Sequence, residues 1–150
     1  MSTPRYLEDF AVGQTFGGSG RLTVDPARIK SFAAEFDPQP FHLDEATARD
    51  TRFKGLAASG WHTAAITMRL LVDSEFKPAG GVIGAGVELQ WPRPVRPGDV
   101  LRVESEVLEV RPSQSRPDLG MLRLRTTTFN QKDEPVQIMT STVVVPRRPA

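Results

Sequence analysis

The fold is decided by residues 59–76, which read SGWHTAAITMRLLVDSEF. A predicted core stripe recurs here at helical spacing and is broadened by two further apolar residues: Trp61, Ala64, Ala65, Met68, Leu71 and Val72, with Ile66 and Leu70. A helix that is apolar over so much of its circumference is expected to be wrapped by other structure. We predict that it begins near Ser59-Gly60, runs to about Phe76 and is ended by the PAGG sequence at 78–81.

After this helix the hydrophobic period changes from about 3.6 residues to about two, which indicates strands. The alternating apolar positions are Val87, Leu89 and Trp91; Leu101, Val103 and Val107; Leu122 and Leu124; and Val136 and Ile138, which share a face with Thr140 and Val144. Polar turns separate them at 96–99, 112–120 and 131–135. Consecutive strands joined in this way predict an antiparallel meander with one dry and one wet face, curled around the helix. The predicted class is α+β.

The first third of the chain contains shorter elements. Residues 14–24 are predicted to form a strand that is interrupted by a bend at the glycine-rich 17–20 stretch. A helix should start at Asp25-Pro26 and end near Asp37, because Pro38 disfavours helical geometry in the residue before it. The 36–42 segment is expected to be a stiff, extended turn, followed by a short helix over 44–49 that Asp44 caps.

The composition narrows the classes of function. A length of 150 residues suits one domain, taken as 1–150, and a net charge of +1 favours neither nucleic acid nor a membrane as partner. The absence of cysteine excludes disulfides, thiolate metal sites and thiol nucleophiles. With two separated histidines no metal-ligand spacing exists, and neither a signal sequence nor a spanning apolar run is visible. We therefore expect a soluble, cytoplasmic protein without a metal.

Asp37 and His42 are the first candidates for chemistry. They lie five residues apart with Pro38 and Pro40 between them. A carboxylate and an imidazole held together can polarise a water and move its proton, which is general acid–base catalysis. Asp-Pro is also a common turn starter, and a lone histidine is often only a hydrogen-bonding residue. The spacing alone leaves both interpretations open.

Gly60 is the second candidate, because the first turn of a helix presents unpaired N–H groups at its positive end. Such an end can stabilise a carbonyl oxygen that acquires negative charge. The alternative is an ordinary helix start, capped by Ser59, in which Gly60 is required only for packing.

The stretch FDPQPFHLD at 36–44 resembles the hydratase signature of MaoC-like dehydratases and (R)-specific enoyl-CoA hydratases. FKGLAASG at 53–60 is similar to that family's loop into its central helix, and WPRPVRPGDVL at 91–101 to its strand–turn–strand. The resemblance covers nearly the whole chain and implies a single hot-dog domain, with an antiparallel sheet wrapped around a long central helix. The sequence departs from the signature at Phe36, where glycine is usual, and at Gln39, where asparagine is usual.

The resemblance implies a carbon–oxygen lyase that adds or removes water across the 2,3 bond of an enoyl or 3-hydroxyacyl thioester. Asp37 and His42 would be the catalytic residues and Gly60 N–H would hold the thioester carbonyl, with Ser59, Gln39 and Arg93 as further substrate-binding candidates. No cofactor is implied beyond the coenzyme A, or acyl carrier protein, that the substrate carries. A homodimer is expected, with the thioester between subunits. A hot-dog thioesterase and a non-catalytic acyl-thioester-binding scaffold are the alternatives.

Three further positions have weaker assignments. Lys54 and Arg96, like Arg93, could meet coenzyme A phosphates or be solvated loop charges. His62 could face the site or solvent. Trp91 alternates with Leu89 and Val87, which favours packing in the core or at a dimer interface over contact with substrate.

Overall fold

A computed structural model describes residues 3–150 of the chain. The helices are α1 (Pro26–Phe36), α2 (Pro40–Leu43), α3 (Glu45–Arg49) and α4 (Gly60–Val72), preceded by a 3-10 turn at Leu7–Asp9. The strands are β1 (Thr15–Phe16), β2 (Leu22–Thr23), β3 (Ile83–Gln90), β4 (Val100–Pro112), β5 (Leu119–Phe129) and β6 (Pro135–Pro146). An antiparallel sheet with few helices is the predicted fold class, which is confirmed.

The sheet has the strand order β1-β4-β5-β6-β3, with β2 also paired to β4. The meander of β4, β5 and β6 is as predicted. β3 is not part of it: it pairs antiparallel with β6, as in the Gln90–Ile138 register, and not with β4, which follows it in sequence. The connection over 91–99 carries three prolines and crosses to the other edge of the sheet. Hydrophobic alternation identifies a strand but does not specify its neighbour, so the sequence could not predict this pairing.

The central helix α4 ends at Val72, one turn before the predicted Phe76. Ser74 accounts for the early end, because its hydroxyl donates to the Leu71 carbonyl and accepts from the Phe76 N–H. A serine that bonds nearby backbone in this way competes with the helical hydrogen bonds.

The predicted core stripe of α4 is wrong in its orientation. The buried residues are His62, Thr63, Ile66, Thr67, Leu70 and Leu71, which face the sheet or α1. Trp61, Met68 and Val72 are 60%, 42% and 45% exposed. The sheet thus covers α4 on one side only. Because the helix is apolar nearly all round, its sequence could not indicate which face is covered.

The short elements before α4 agree with the prediction in all but one respect. Asp25 caps α1 by accepting from Ala27 N–H, and Asp44 caps α3 by accepting from Thr47 N–H. The 36–42 segment is not extended throughout, because residues from Pro40 onward form the single turn of α2. Within residues 3–150 no helix is long and apolar enough to cross a membrane.

Candidate active site

Asp37 and His42 meet at the junction of α1, α2 and the start of α4. Asp37 is the residue that ends α1, and its N–H donates to the Ala33 carbonyl. His42 lies on α2, which brings its Nε2 atom to 3.4 Å from Oδ2 of Asp37. The two side chains are largely buried, with 6% exposure for His42 and 17% for Asp37. The structure therefore brings together the two residues that the sequence pattern singled out.

The tautomer of His42 follows from its second nitrogen. Nδ1 lies 2.6 Å from the carbonyl oxygen of Ala57. A carbonyl only accepts hydrogen bonds, so Nδ1 carries the proton and donates it. In the neutral ring Nε2 is then an acceptor, and it faces a carboxylate oxygen, which is also an acceptor. A separation of 3.4 Å, longer than a normal hydrogen bond, fits two acceptors.

The carboxylate of Asp37 is held by two donors. The Ser59 hydroxyl donates to Oδ2 at 2.7 Å, and the Gln39 amide donates to Oδ1. Burial raises the pKa of Asp37, but these two hydrogen bonds, together with the charge that His42 carries when its ring is protonated, lower it by more, so the net pKa lies below the ordinary value for aspartate. The carboxyl is thus ionised at neutral pH.

Ser59 and Gln39 were sequence candidates for substrate binding, and the structure places both on Asp37. Ser59 is fully buried, and its oxygen also accepts from Trp61 N–H as the cap of α4. Gln39 is exposed and directly precedes α2. Both side chains can hold the carboxylate in place, and only Gln39 has solvent-accessible surface to offer a ligand.

A cavity of about 510 Å³ opens in front of this pair. Asp37, His42 and Gly60 are among its lining residues, and Asp37 is the one carboxylate among them. Among residues 3–150, no acceptor lies on the N–H of Gly60. The first N–H of α4, at the positive end of the helix, is therefore free for a ligand in the cavity.

Trp91 forms the cavity wall beside Gly60. Its alternation with Leu89 and Val87 had favoured packing in the core or at an interface. A Cβ atom added to Gly60 would lie 2.6 Å from Cε2 of the indole, closer than atoms can approach. Gly60 is thus required by the close packing of Trp91, and the unpaired N–H is present as well. The two interpretations of Gly60 that the sequence left open are compatible.

Three arginines lie around the cavity, and only two of them are free to meet a ligand. Arg96 donates to the carbonyls of Phe53, Gly55 and Leu56, so its role is to hold the loop before α4. Arg93 lies 3.6 Å from a carboxylate oxygen of Glu134 and remains about half exposed. Arg52, which the sequence analysis did not single out, also lines the cavity. Within the described part of the chain Arg52 has no carboxylate partner. Lys54, the other cation that the sequence suggested, does not line the cavity.

His62 faces neither solvent nor the lining of this cavity. Its ring is stacked on Phe32 of α1 at 4.7 Å and is 8% exposed. Its Nδ1 atom is buried without a hydrogen-bond partner in the region described. Burial, with a smaller contribution from Arg28, lowers the pKa of His62, so the ring is neutral at pH 7.

Comparison with known proteins places this geometry in context. Residues 9–128 match the family described as the MaoC like domain. The chain is 31% identical over 116 residues to the 3-hydroxybutyryl-CoA dehydratase of Methylorubrum extorquens, covering 77% of this chain and 71% of that protein.

Two solved structures show the same fold. A MaoC-like dehydratase from Rhodospirillum rubrum is 59% identical, with a TM-score of 0.93, covering 97% of this chain and 99% of that one. The (R)-hydratase PhaJ1 from Pseudomonas aeruginosa is 30% identical, with a TM-score of 0.74, covering 95% and 86%. The hot-dog fold expected from the sequence is confirmed by these likenesses.

Proposed function

The chain belongs to the MaoC-like family, and we propose that it is a hydratase that reversibly adds water across the 2,3 double bond of an enoyl thioester. The observation that carries this proposal is the pair of acceptors, Asp37 Oδ2 and His42 Nε2, that face each other across 3.4 Å at the end of a cavity. A water molecule has two hydrogens and can donate one to each acceptor, which leaves its oxygen lone pairs directed at a substrate.

Gly60 supplies the electrophilic part of the proposed site. Its N–H and the positive end of α4 would bind the thioester carbonyl, and the charge of the enolate formed during the reaction would strengthen that hydrogen bond. The cavity leads from Gly60 to the Asp37–His42 pair, so one ligand can reach both groups.

The atoms of the reaction balance without a further reactant. The water oxygen forms a bond to C3 as one water proton passes to the Asp37–His42 pair, and the electrons of the double bond move into the thioester enolate. The enolate then collapses and takes that proton at C2. Dehydration reverses these steps. The thioester itself acidifies C2, so the proposed reaction requires no metal or redox cofactor.

The proposed substrate carries coenzyme A or an acyl carrier protein. Arg52 and Arg93, both exposed at the cavity, are cations of the kind that bind phosphate. Coenzyme A and the phosphopantetheine arm of a carrier protein both offer such phosphates. The shape of this cavity would decide which lengths and substituents of the acyl group fit.

We also propose that the protein works as a homodimer. Trp61, Met68 and Val72 form an exposed apolar face on α4, and β3 is an edge strand with Ile83 and Val87 more than half exposed. An apolar face next to a free strand edge is typical of a surface that a second copy covers.

One assay separates hydration from the two alternatives. The protein is mixed with crotonyl-CoA and with longer enoyl-CoAs, while the absorbance of the conjugated thioester and the free thiol are followed together. Loss of absorbance without thiol supports hydration. Release of thiol supports a thioesterase. Such an enzyme would need a carboxylate on or near the central helix to activate water, and Asp73, at the end of α4, is paired with Arg69 and does not line the cavity. Binding without either signal supports a scaffold, and the hydratase proposal is then wrong.

A further inference from the structure

Gln137 is a fully buried amide on β6 that the proposed chemistry does not use. It lies opposite Thr128 in the register of β5 and β6. Burying an amide is costly unless it is hydrogen-bonded, a cost that an apolar side chain does not have. The hydrogen bonds of Gln137 therefore indicate why an amide occupies this position.

Two hydrogen bonds fix the orientation of Gln137. Its Oε1 accepts from Nε1 of Trp91 at 2.9 Å, and its Nε2 donates to the hydroxyl of Thr67 on α4 at 2.9 Å. The Thr67 hydroxyl lies 2.6 Å from that of Thr128. An indole N–H only donates, so Oε1 must face Trp91. The chain of bonds connects the sheet, the central helix and the indole.

The indole at the end of this chain lies directly against Gly60, as the 2.6 Å approach to a Cβ at that position shows. Trp91 is 42% exposed and lines the cavity, so packing alone leaves it room to turn. The hydrogen bond that the indole N–H donates to Gln137 is the polar contact that ties the ring to the buried side.

We propose that Gln137 is a positioning residue that holds the Trp91 indole against Gly60 and so fixes the width of the cavity at its thioester end. Gln137 touches no substrate in this scheme. It acts through Trp91, while Thr67 keeps the amide in the orientation that the indole requires.

The direct test uses fluorescence and does not depend on the proposed function. Trp61→Phe leaves Trp91 as the only tryptophan. In that background Gln137→Met is expected to shift the emission to longer wavelength, because the released indole meets more water. Thr126→Val is the matched control, since it removes another buried side-chain hydrogen bond of the sheet, the one between Thr126 and Ser105. An unchanged emission with Gln137→Met, or an equal shift with Thr126→Val, overturns the proposal.

The kinetic test rests on the proposed hydratase function and uses crotonyl-CoA. Gln137→Met is expected to lower kcat/KM about ten-fold, mainly through KM, because a displaced wall misplaces the thioester. Trp91→Phe retains a ring without the N–H, and adding Gln137→Met to it should change kcat/KM less than about two-fold. Fully additive effects contradict the inference. Gln137→Glu keeps the acceptor for the indole, so it should restore KM if the loss comes from the missing hydrogen bond.

The two kinds of failure can be told apart. If the wild-type protein hydrates no thioester, the proposed function fails and the emission shift still decides the role of Gln137. If the wild type is active and KM is unchanged in a folded Gln137→Met variant, the positioning role fails and the hydratase proposal stands.

Discussion

Nε2 of His42 lies 3.4 Å from Oδ2 of Asp37, and with the ring proton on Nδ1 alone neither atom has a proton to give the other. The proton of the ring is on Nδ1, where the Ala57 carbonyl binds it. Two acceptors this close in a buried site are stabilised by a donor that bridges both of them from one side, and a water molecule, with two hydrogens, is such a donor.

Replacement of either acceptor should abolish hydration while the protein stays folded. Asp37→Asn and His42→Ala are each expected to lower kcat at least about 100-fold, the usual contribution of a positioned acid or base. The measurement is loss of enoyl thioester absorbance, with circular dichroism as the check on folding. If both variants keep wild-type rates, the proposed mechanism is wrong.

Ser59→Ala should shift the pH dependence of the reaction. The Ser59 hydroxyl stabilises the ionised form of Asp37, so its removal raises the pKa of that carboxyl and moves the acid limb of kcat/KM to higher pH. The variant should also lose about 1 kcal/mol of stability, because Ser59 caps α4. Asp25→Ala removes the cap of α1 and is the matched control. It should lose similar stability without moving the pH profile, and an equal shift in both would contradict a specific role for Ser59.

Gly60→Ala tests the close packing at the N-terminus of α4. The new Cβ would lie within 3.0 Å of three atoms of the Trp91 ring, so the indole or the helix must move. We expect a loss of roughly 1–3 kcal/mol in stability and a large drop in kcat/KM. In a Trp91→Ala background the same Gly60→Ala change should cost little stability, because the clashing ring is absent. Gly17→Ala, where the nearest atom is 3.8 Å away, is the control and should change little.

His62 should make the stability of the protein sensitive to mild acid. Its pKa in the folded state lies below the value of 6.5 expected when unfolded, so the unfolded chain binds more protons as the pH falls below about 6.5. The free energy of unfolding should therefore decrease from pH 7 towards pH 5. In His62→Phe this decrease should be smaller. Denaturant melts of both proteins across that range measure it, and parallel curves would exclude His62 as the cause.

The exposed face of α4 predicts how the protein associates. Met68→Glu places a charge in the apolar face and should convert a dimer to a monomer, measured by sedimentation. Val12→Glu is the control, because Val12 is 66% exposed in a turn and is not one of the residues that form that face. A wild-type protein that is monomeric at high concentration would contradict the proposed dimer.

Local signals in the sequence predicted the helix boundaries around the candidate site well. Asp25-Pro26 and Pro38 define α1 and so place Asp37 at its end, and Ser59-Gly60 marks the start of α4. Each of these depends on the conformational preferences of a few adjacent residues. These signals place Asp37 and Gly60 at helix ends, and the catalytic roles of Asp37, His42 and Gly60 stay predictions.

Relationships between distant residues could not be predicted in this way. Two examples are the pairing of β3 with β6 and the outward orientation of Trp61. Both depend on which surfaces are covered in the folded protein, and the hydrophobicity of a residue does not specify its packing partner. The partners of Arg96 and Gln137 could not be predicted from the sequence for the same reason. A loop arginine looks like a phosphate ligand until its three carbonyl partners are seen, and a glutamine within a strand gives no sign of an indole 46 positions earlier.

The measurement that tests the central claim most directly is the fate of the water oxygen. Crotonyl-CoA is incubated with the protein in heavy-oxygen-labelled water, and the products are separated and weighed by mass spectrometry. We predict one labelled oxygen in the 3-hydroxyl group of an intact 3-hydroxybutyryl thioester, and none with Asp37→Asn. Label in a free carboxylate, or crotonyl-CoA recovered without any hydrated product, would contradict hydration at the Asp37–His42 pair.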